Sequence, residues 1–406
     1  YKIRKNSKWQ LSKNRSKKYN FPAVGVCYDK RIKFQEASVM GILQPIWDGT
    51  FVYREPVCFS ADKDGRPTGG TLLYQPEEIL SVTSFDGSVF YQPVRDYTAN
   101  GRQLVRTEAS RIPYLERSVY CKPFTGVPET AWVRLSGGKA YMEVVSDVYR
   151  WQTLVTYTHR DKWAGFQPEA CGESLPRSME KLRAGGDFHL TFYGDSITAG
   201  WEASGCNERA IDMVTLGEYH VSLWHAPYQP AWAELVTNAL QARYPQSNVI
   251  KTNRAAGGST VQWGVEHAAE LVPPCKPDLI MLGFGMNSMQ ESAEDYRRAI
   301  LSIIRTIRKE CPDCEFVLVS PMIPNPEIKD FQNNQLPAQQ DVLYQIAAEL
   351  EGVCIAPVHS VFREMTARGK HYLELTGNCI NHPNDFSVRV YAQTVLRTLG
   401  VDGSDG

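Results

Sequence analysis

The apolar positions change period near the middle of the chain. Up to about residue 160 they come in short alternating runs broken by turn residues, the period-two pattern of half-buried strands. Ile79 to Tyr91 predicts a hairpin on the Asp86-Gly87 turn, Ala131 to Val145 a second hairpin, and Trp151 to Thr158 a further strand. No long 3.6-residue period interrupts them, so an all-β sandwich of jelly-roll type is expected for this half.

Beyond it, apolar runs at 188–193, 247–252, 278–283, 315–320 and 352–356 alternate with the helical stretches Pro230 to Arg243, Glu294 to Lys309 and Ala338 to Glu351. Ser292 to Asp295 opens the second of these helices with a pattern like a capping box. Strands that are apolar on both faces and alternate with helices predict a parallel α/β sheet. The stretch Pro168 to Gly186, rich in Gly, Pro and Ser, places the boundary. A β-sandwich accessory domain over 1–180 and an α/β domain over 187–406 are expected, each with its own core.

The α/β half carries the candidate chemistry. Its first strand runs from Phe188 into Gly194-Asp195-Ser196 and then into small residues that can open a helix. A strand-to-helix turn of this kind lifts a serine hydroxyl clear of the sheet and aims the following backbone N–H groups at the place where an oxyanion would form. Asp195 is expected to brace the turn, because neighbours on a tight turn point apart.

Three further segments follow in order. The run Val249 to Asn253 ends in a loop with Gly257-Gly258, whose backbone can approach a ligand closely. The strand Leu279 to Gly283 delivers Asn287 beyond its carboxyl end, where its side chain could donate to an oxyanion. Near the end, Asn378 to Asp385 sets His382 in a turn ahead of a helical pattern from Phe386 to Leu399, in place to serve as a base.

Together these four blocks resemble the SGNH, or GDSL-type, esterase and lipase superfamily, over about Phe188 to Leu399. The resemblance implies a three-layer, flavodoxin-like parallel sheet. It makes Ser196 the nucleophile, His382 the base, and the Ser196 N–H, the Gly258 N–H and the Asn287 side chain the oxyanion hole. It also implies an acyl-enzyme mechanism without a cofactor. Some carbohydrate O-acetyl esterases of the superfamily carry a β-sandwich ahead of this domain, so removal of acetyl groups from glycans is the leading expectation. Lipid acylhydrolysis and a decayed, glycan-binding protein are the alternatives.

One block departs from the pattern. The superfamily's last block reads Asp-x-x-His, whereas Cys379 stands three residues before His382 and Asn378 stands four before it. An amide cannot stabilise imidazolium as a carboxylate does and can favour the wrong tautomer, a swap that costs a trypsin-like enzyme about four orders of magnitude in kcat. Three explanations stand: Asp385 or another acid acts from outside the motif, a backbone carbonyl orients His382 in a Ser-His dyad, or the block carries an inactivating change. A dyad or a displaced acid is the favoured expectation.

Between the first two blocks, Trp201 to Gln229 carries Trp201, Tyr219, His220, Trp224, His225 and Tyr228, aromatic faces that could line a carbohydrate subsite. Trp263 and Met286, beside the oxyanion donors, are candidates for limiting acyl length. No acid or thiol clusters near these histidines at ligand spacing, so no metal site is expected. Cys311-Pro-Asp-Cys314 has a redox-motif spacing but reads as a turn between a helix and a strand.

A formal net charge of −1 gives no electrostatic case for nucleic acid or an anionic membrane, and no apolar run reaches the length of a membrane span. The first twenty residues are locally basic, and a solvated arm is expected there. Ten cysteines without a disulfide-framework spacing suggest reduced thiols and a cytoplasmic location, a secreted form with its signal peptide removed being the other option. The sugar, the acylated position and the oligomeric state are not set by sequence.

Overall fold

The computed structural model describes residues 42–120, 122–123, 132–134, 140–143, 148–206 and 225–401. The basic arm, Tyr219, His220 and Trp224 lie outside the described residues.

In the first half, the alternating runs become strands β1 (Phe51–Ala61), β2 (Pro67–Thr68), β3 (Pro76–Ser84), β4 (Tyr97–Asn100), β5 (Gln103–Arg106), β6 (Tyr114–Leu115), β7 (Lys122–Pro123), β8 (Trp132–Arg134), β9 (Ala140–Glu143) and β10 (Gln152–His159). β10 lies between β1 and β3, antiparallel to both, and its residues are almost all buried. β2 and β6 extend this sheet on β1, while β4 pairs with β5 and β9 pairs with β7 and β8. The expected hairpins are present: β8 pairs with β9, and Thr83 bridges to Phe90 across the turn at Gly87.

The second half supplies β11 (Gly186–Gly194), β12 (Ser247–Asn253), β13 (Leu279–Gly283), β14 (Glu315–Val319) and β15 (Val353–Ala356). They form one parallel sheet in the order β12-β11-β13-β14-β15, the doubly wound order of flavodoxin-like folds. β13, β14 and β15 are buried throughout, as strands covered on both faces must be.

The helices follow the sequence signals. In the helix Ala293–Glu310 the Ser292 side chain accepts the Asp295 N–H, Glu294 and Asp295 occupy the first turn, and Arg308 and Lys309 the last. Tyr296, Ala299, Ile300, Ile303, Ile304 and Ile307 recur at three- and four-residue spacing and are buried against the sheet.

The core departs from the expectation of one core per half. The largest apolar cluster runs from Val57, Val155 and Tyr157 of the strand half to Phe386, Val390 and Leu396 of the final helix, Asp385–Leu399. A second cluster fills the other face of the parallel sheet, around Phe284, Ile303 and Phe316. Alternation marks which side of a strand is buried, but it does not say what covers that side.

Candidate active site

Strand β11 ends at Gly194, where a side chain has no room: a Cβ would lie 2.2 Å from the Gly283 carbonyl oxygen and 2.4 Å from Thr198 Oγ1. The chain turns there into the short helix Ser196–Ala199, with Asp195 as its cap, accepting the Ile197 N–H on Oδ1 at 3.0 Å. The Thr198 and Met286 N–H groups also point at this carboxylate. Burial nevertheless pushes Asp195 up to about 7. The residue braces the turn, as its position in the sequence predicts.

Block two follows β12. The Ala256 N–H and the Ser259 hydroxyl both donate to the Gly194 carbonyl, at 3.0 and 3.1 Å, and fasten this loop to the serine turn. Gly258 is exposed and has φ +74°, a conformation that favours glycine. Block three follows β13, and Asn287 is exposed with its Nδ2 donating to the Ser259 carbonyl at 2.9 Å. One Asn287 N–H thus anchors the side chain, and the amide group has a second to offer. Ser196, Gly258 and Asn287 stand beyond the carboxyl ends of adjacent strands, where the strand order reverses and ligands bind in such sheets.

His382 comes from the loop Thr376 to Asn384. Thr376 bridges to Pro383, and the Gly377 N–H donates to the His382 carbonyl at 2.9 Å, closing the loop on itself. His382 Nε2 lies 2.8 Å from Ser196 Oγ. The Trp201 ring meets the imidazole edge-on with centroids 5.5 Å apart, and the Trp201 N–H donates to the Ser196 carbonyl. Trp201 also lies against Gly257, where a Cβ would come within 2.2 Å of the indole, and its buried Nε1–H has no partner among the described residues.

The partner of His382 Nδ1 is Asn378, whose Nδ2 lies 2.9 Å away. Asp385 is therefore not the displaced acid of the sequence expectation. As the first residue of its helix it faces the other way, accepting the Ser204 N–H and hydroxyl at 2.8 and 2.7 Å. Desolvation of the imidazole by the surrounding protein pushes His382 down to about 4. Met286 is also misplaced by the sequence expectation. Its side chain is fully buried in the core and presents no surface to a substrate. Trp263 stacks on His267 at 4.4 Å and packs beside Tyr193, on the helix Val261–Leu271.

Two residues that the sequence did not single out hold the histidine loop. Asn325 donates from Nδ2 to the Cys379 carbonyl and from its N–H to the Ile380 carbonyl, at 2.8 and 2.7 Å. Gln152, on β10 of the strand half, donates to the Leu373 and Thr376 carbonyls at 2.8 Å and accepts the Asn384 amide at 3.1 Å. Asn325 carries a faint signal, a polar residue between Pro321 and Pro326 just past a buried strand; Gln152 carries none.

Residues 192–386 match the model of the GDSL-like lipase/acylhydrolase family. That match lies within the α/β half and covers a little under half of the chain. No curated protein matches the chain in sequence. Among solved structures, a two-domain esterase active on acetylated mannans aligns at 20% identity and a TM-score of 0.44, over 59% of this chain and 56% of that one. The alignment thus spans little more than half of that esterase. An acetylxylan esterase from Geobacillus stearothermophilus, in a catalytic mutant, aligns at 20% identity and a TM-score of 0.42, over 54% of this chain and 96% of its own. An alpha/beta hydrolase from the metagenome of Lake Arreo, Spain, aligns at 20% identity and a TM-score of 0.41, over 55% of this chain and all of its own.

Among the described residues, no helix is long and apolar enough to cross a membrane, and no three His, Cys, Asp or Glu side chains are grouped to hold a metal ion. Cys311 and Cys314 flank a turn between the helix Ala293–Glu310 and β14, with the Cys314 N–H donating to the Cys311 carbonyl.

Proposed function

We propose that this chain is a serine esterase that removes short acyl groups, acetyl foremost, from carbohydrate through an acyl-enzyme. The observation that carries the reading is the 2.8 Å contact between Ser196 Oγ and His382 Nε2, in front of the exposed Asn287 and Gly258. In the reaction Ser196 Oγ attacks the ester carbon while its proton passes to Nε2. The carbonyl oxygen, now an oxyanion, takes hydrogen bonds from the Ser196 and Gly258 N–H groups and the free Asn287 N–H. Collapse expels the sugar oxygen, which leaves with the proton from Nε2. Water then attacks the acyl-serine by the same proton route and releases the carboxylic acid.

Two features support the substrate class. Trp201 narrows the space beside the Ser-His pair, which favours a small acyl group. Further along the same segment, His225 stacks on Tyr149 of the strand half with centroids 4.0 Å apart, and Phe85 joins them at 5.2 Å from Tyr149. An aromatic group of this kind suits the face of a sugar ring.

Hydrolysis of p-nitrophenyl acetate, butyrate and octanoate, with acetylated xylo- and manno-oligosaccharides beside them, tests the reading. Acetate is expected to be turned over best and Ser196→Ala to abolish turnover. A preference for octanoate, or hydrolysis that persists in Ser196→Ala, would sink it.

A further inference from the structure

The hydrogen-bonding of Asn378 determines what His382 can do. Asn378 Oδ1 accepts three backbone N–H groups, from Ile380, Asn381 and His382, at 2.9, 3.0 and 3.1 Å. An amide oxygen and nitrogen are told apart by their partners, and three donors converging on one atom leave no choice. The nitrogen therefore faces His382 Nδ1 at 2.9 Å and also reaches Asn381 Oδ1 at 3.3 Å. An amide nitrogen only donates, so Nδ1 must accept, and the ring proton of the neutral imidazole sits on Nε2.

That proton points at Ser196 Oγ. A general base needs the opposite arrangement, with Nδ1–H held by an acceptor and a bare Nε2 facing the hydroxyl. Rotating the Asn378 amide to provide that acceptor would turn its N–H groups into the three backbone N–H groups that hold Oδ1. An imidazolium formed without that rotation would set Nδ1–H against the same amide N–H, donor facing donor.

We infer that Asn378 is a brake on this esterase: it locks His382 in the tautomer that donates to Ser196, so that acylation waits on a rare rearrangement of the amide. The inference rests on the assignment of Ser196 and His382 as the reacting pair. An aspartate at the same position would keep the three N–H groups on one oxygen and accept Nδ1–H on the other, releasing the brake once the Asn381 amide turns its N–H groups toward the new carboxylate.

The test uses the full chain with 15N-labelled histidine, wild type and Asn378→Asp, with His382→Ala to assign the signal. Two-bond 1H–15N correlation is expected to show Nε2–H in the wild type and Nδ1–H in Asn378→Asp. The kcat/KM for p-nitrophenyl acetate is expected to rise by about 10³–10⁴-fold in Asn378→Asp, mostly through kcat, mirroring the loss seen when a triad aspartate becomes asparagine. Nδ1–H in the wild type would overturn the brake even if the variant fails to fold. A variant that switches tautomer yet stays within about tenfold of wild-type kcat/KM would overturn it as well. Ser196→Ala in the Asn378→Asp background separates the two readings. If the gained turnover survives that change, the Ser196 assignment falls; if it vanishes while the wild type proves to carry Nδ1–H, only the brake falls.

Discussion

Lys370 Nζ lies 3.0 Å from Glu55 Oε1 with both side chains fully buried, one from the segment ahead of the histidine loop and the other from strand β1. Glu374 stands on the other side of the ammonium at 3.2 Å and accepts the Cys58, Gly70 and His371 N–H groups. Lys370→Met would leave two carboxylates buried without their cation. A loss on the order of 3–5 kcal/mol is expected in urea unfolding, since removing one partner of a buried pair exposes the full desolvation cost of the other. Burial alone would push the Lys370 pKa down, but Glu374 and Glu55 outweigh it and hold it above the usual lysine value. This contribution is complete below the unfolded lysine pKa and is lost as pH rises through the raised one.

Asp195 runs the other way. Its folded pKa of about 7 lies above the 3.8 of an ordinary aspartate, so between those values the folded chain holds a proton that the unfolded chain has released. Stability is expected to fall as pH rises from about 4 to about 7, by up to a few kcal/mol at about 1.4 kcal/mol per unit. Asp195→Asn keeps an acceptor for the Ile197 N–H and removes the titration. Thermal melts across this range should show a flatter stability profile in the variant; an unchanged profile would mean that Asp195 is already ionised at acid pH.

His382, held down to about 4, stays neutral well below the range where histidines ordinarily titrate. The acid limb of the kcat/KM profile is therefore expected near pH 4 rather than between 6 and 7. Asn378→Asp should move that limb upward, because a carboxylate beside Nδ1 favours the charged ring. A wild-type limb above 6 would contradict the desolvation of the imidazole.

Gly257 leaves no room for a side chain, since a Cβ would meet the Trp201 indole at 2.2 Å. Gly257→Ala should push Trp201 away from its edge-on contact with His382 and lower kcat/KM on acetate esters by about 10–100-fold, the usual scale for a displacement near 1 Å in an active site. Circular dichroism should report the same secondary structure. Activity at the wild-type level would mean that Trp201 does not set the shape of the site.

Much of this was legible in sequence because its signals are local. The five apolar runs of the second half became the parallel strands within two residues at either end, and the Gly-Asp-Ser, Gly-Gly and Gly-x-Asn segments all landed beyond strand ends in one place. What stayed hidden depends on the direction of side chains. Asp385 looked like a spare acid three residues past His382, but the first turn of the final helix rotates it towards Ser204. Asn378 read as a missing acid, yet which end of its amide meets His382 is decided by the N–H groups of residues 380–382, and these converge only after the chain passes through Cys379 at φ +61°. Met286 sits beside Asn287 in sequence and inside the core in space.

Gln152 belongs to the strand half, yet its side chain grips both shoulders of the loop that carries His382, at Leu373, Thr376 and Asn384. The strands ahead of the α/β half therefore act as a jig for the histidine proposed as its base. A fragment cut near residue 186 would keep its serine and its sheet, but the histidine loop would face water with two carbonyls and an amide ungripped, free to swing away from Ser196. Changes to β1 or β3, the strands that hold β10 in register, are a route to altering turnover from the far side of the molecule without touching any group that meets the ester.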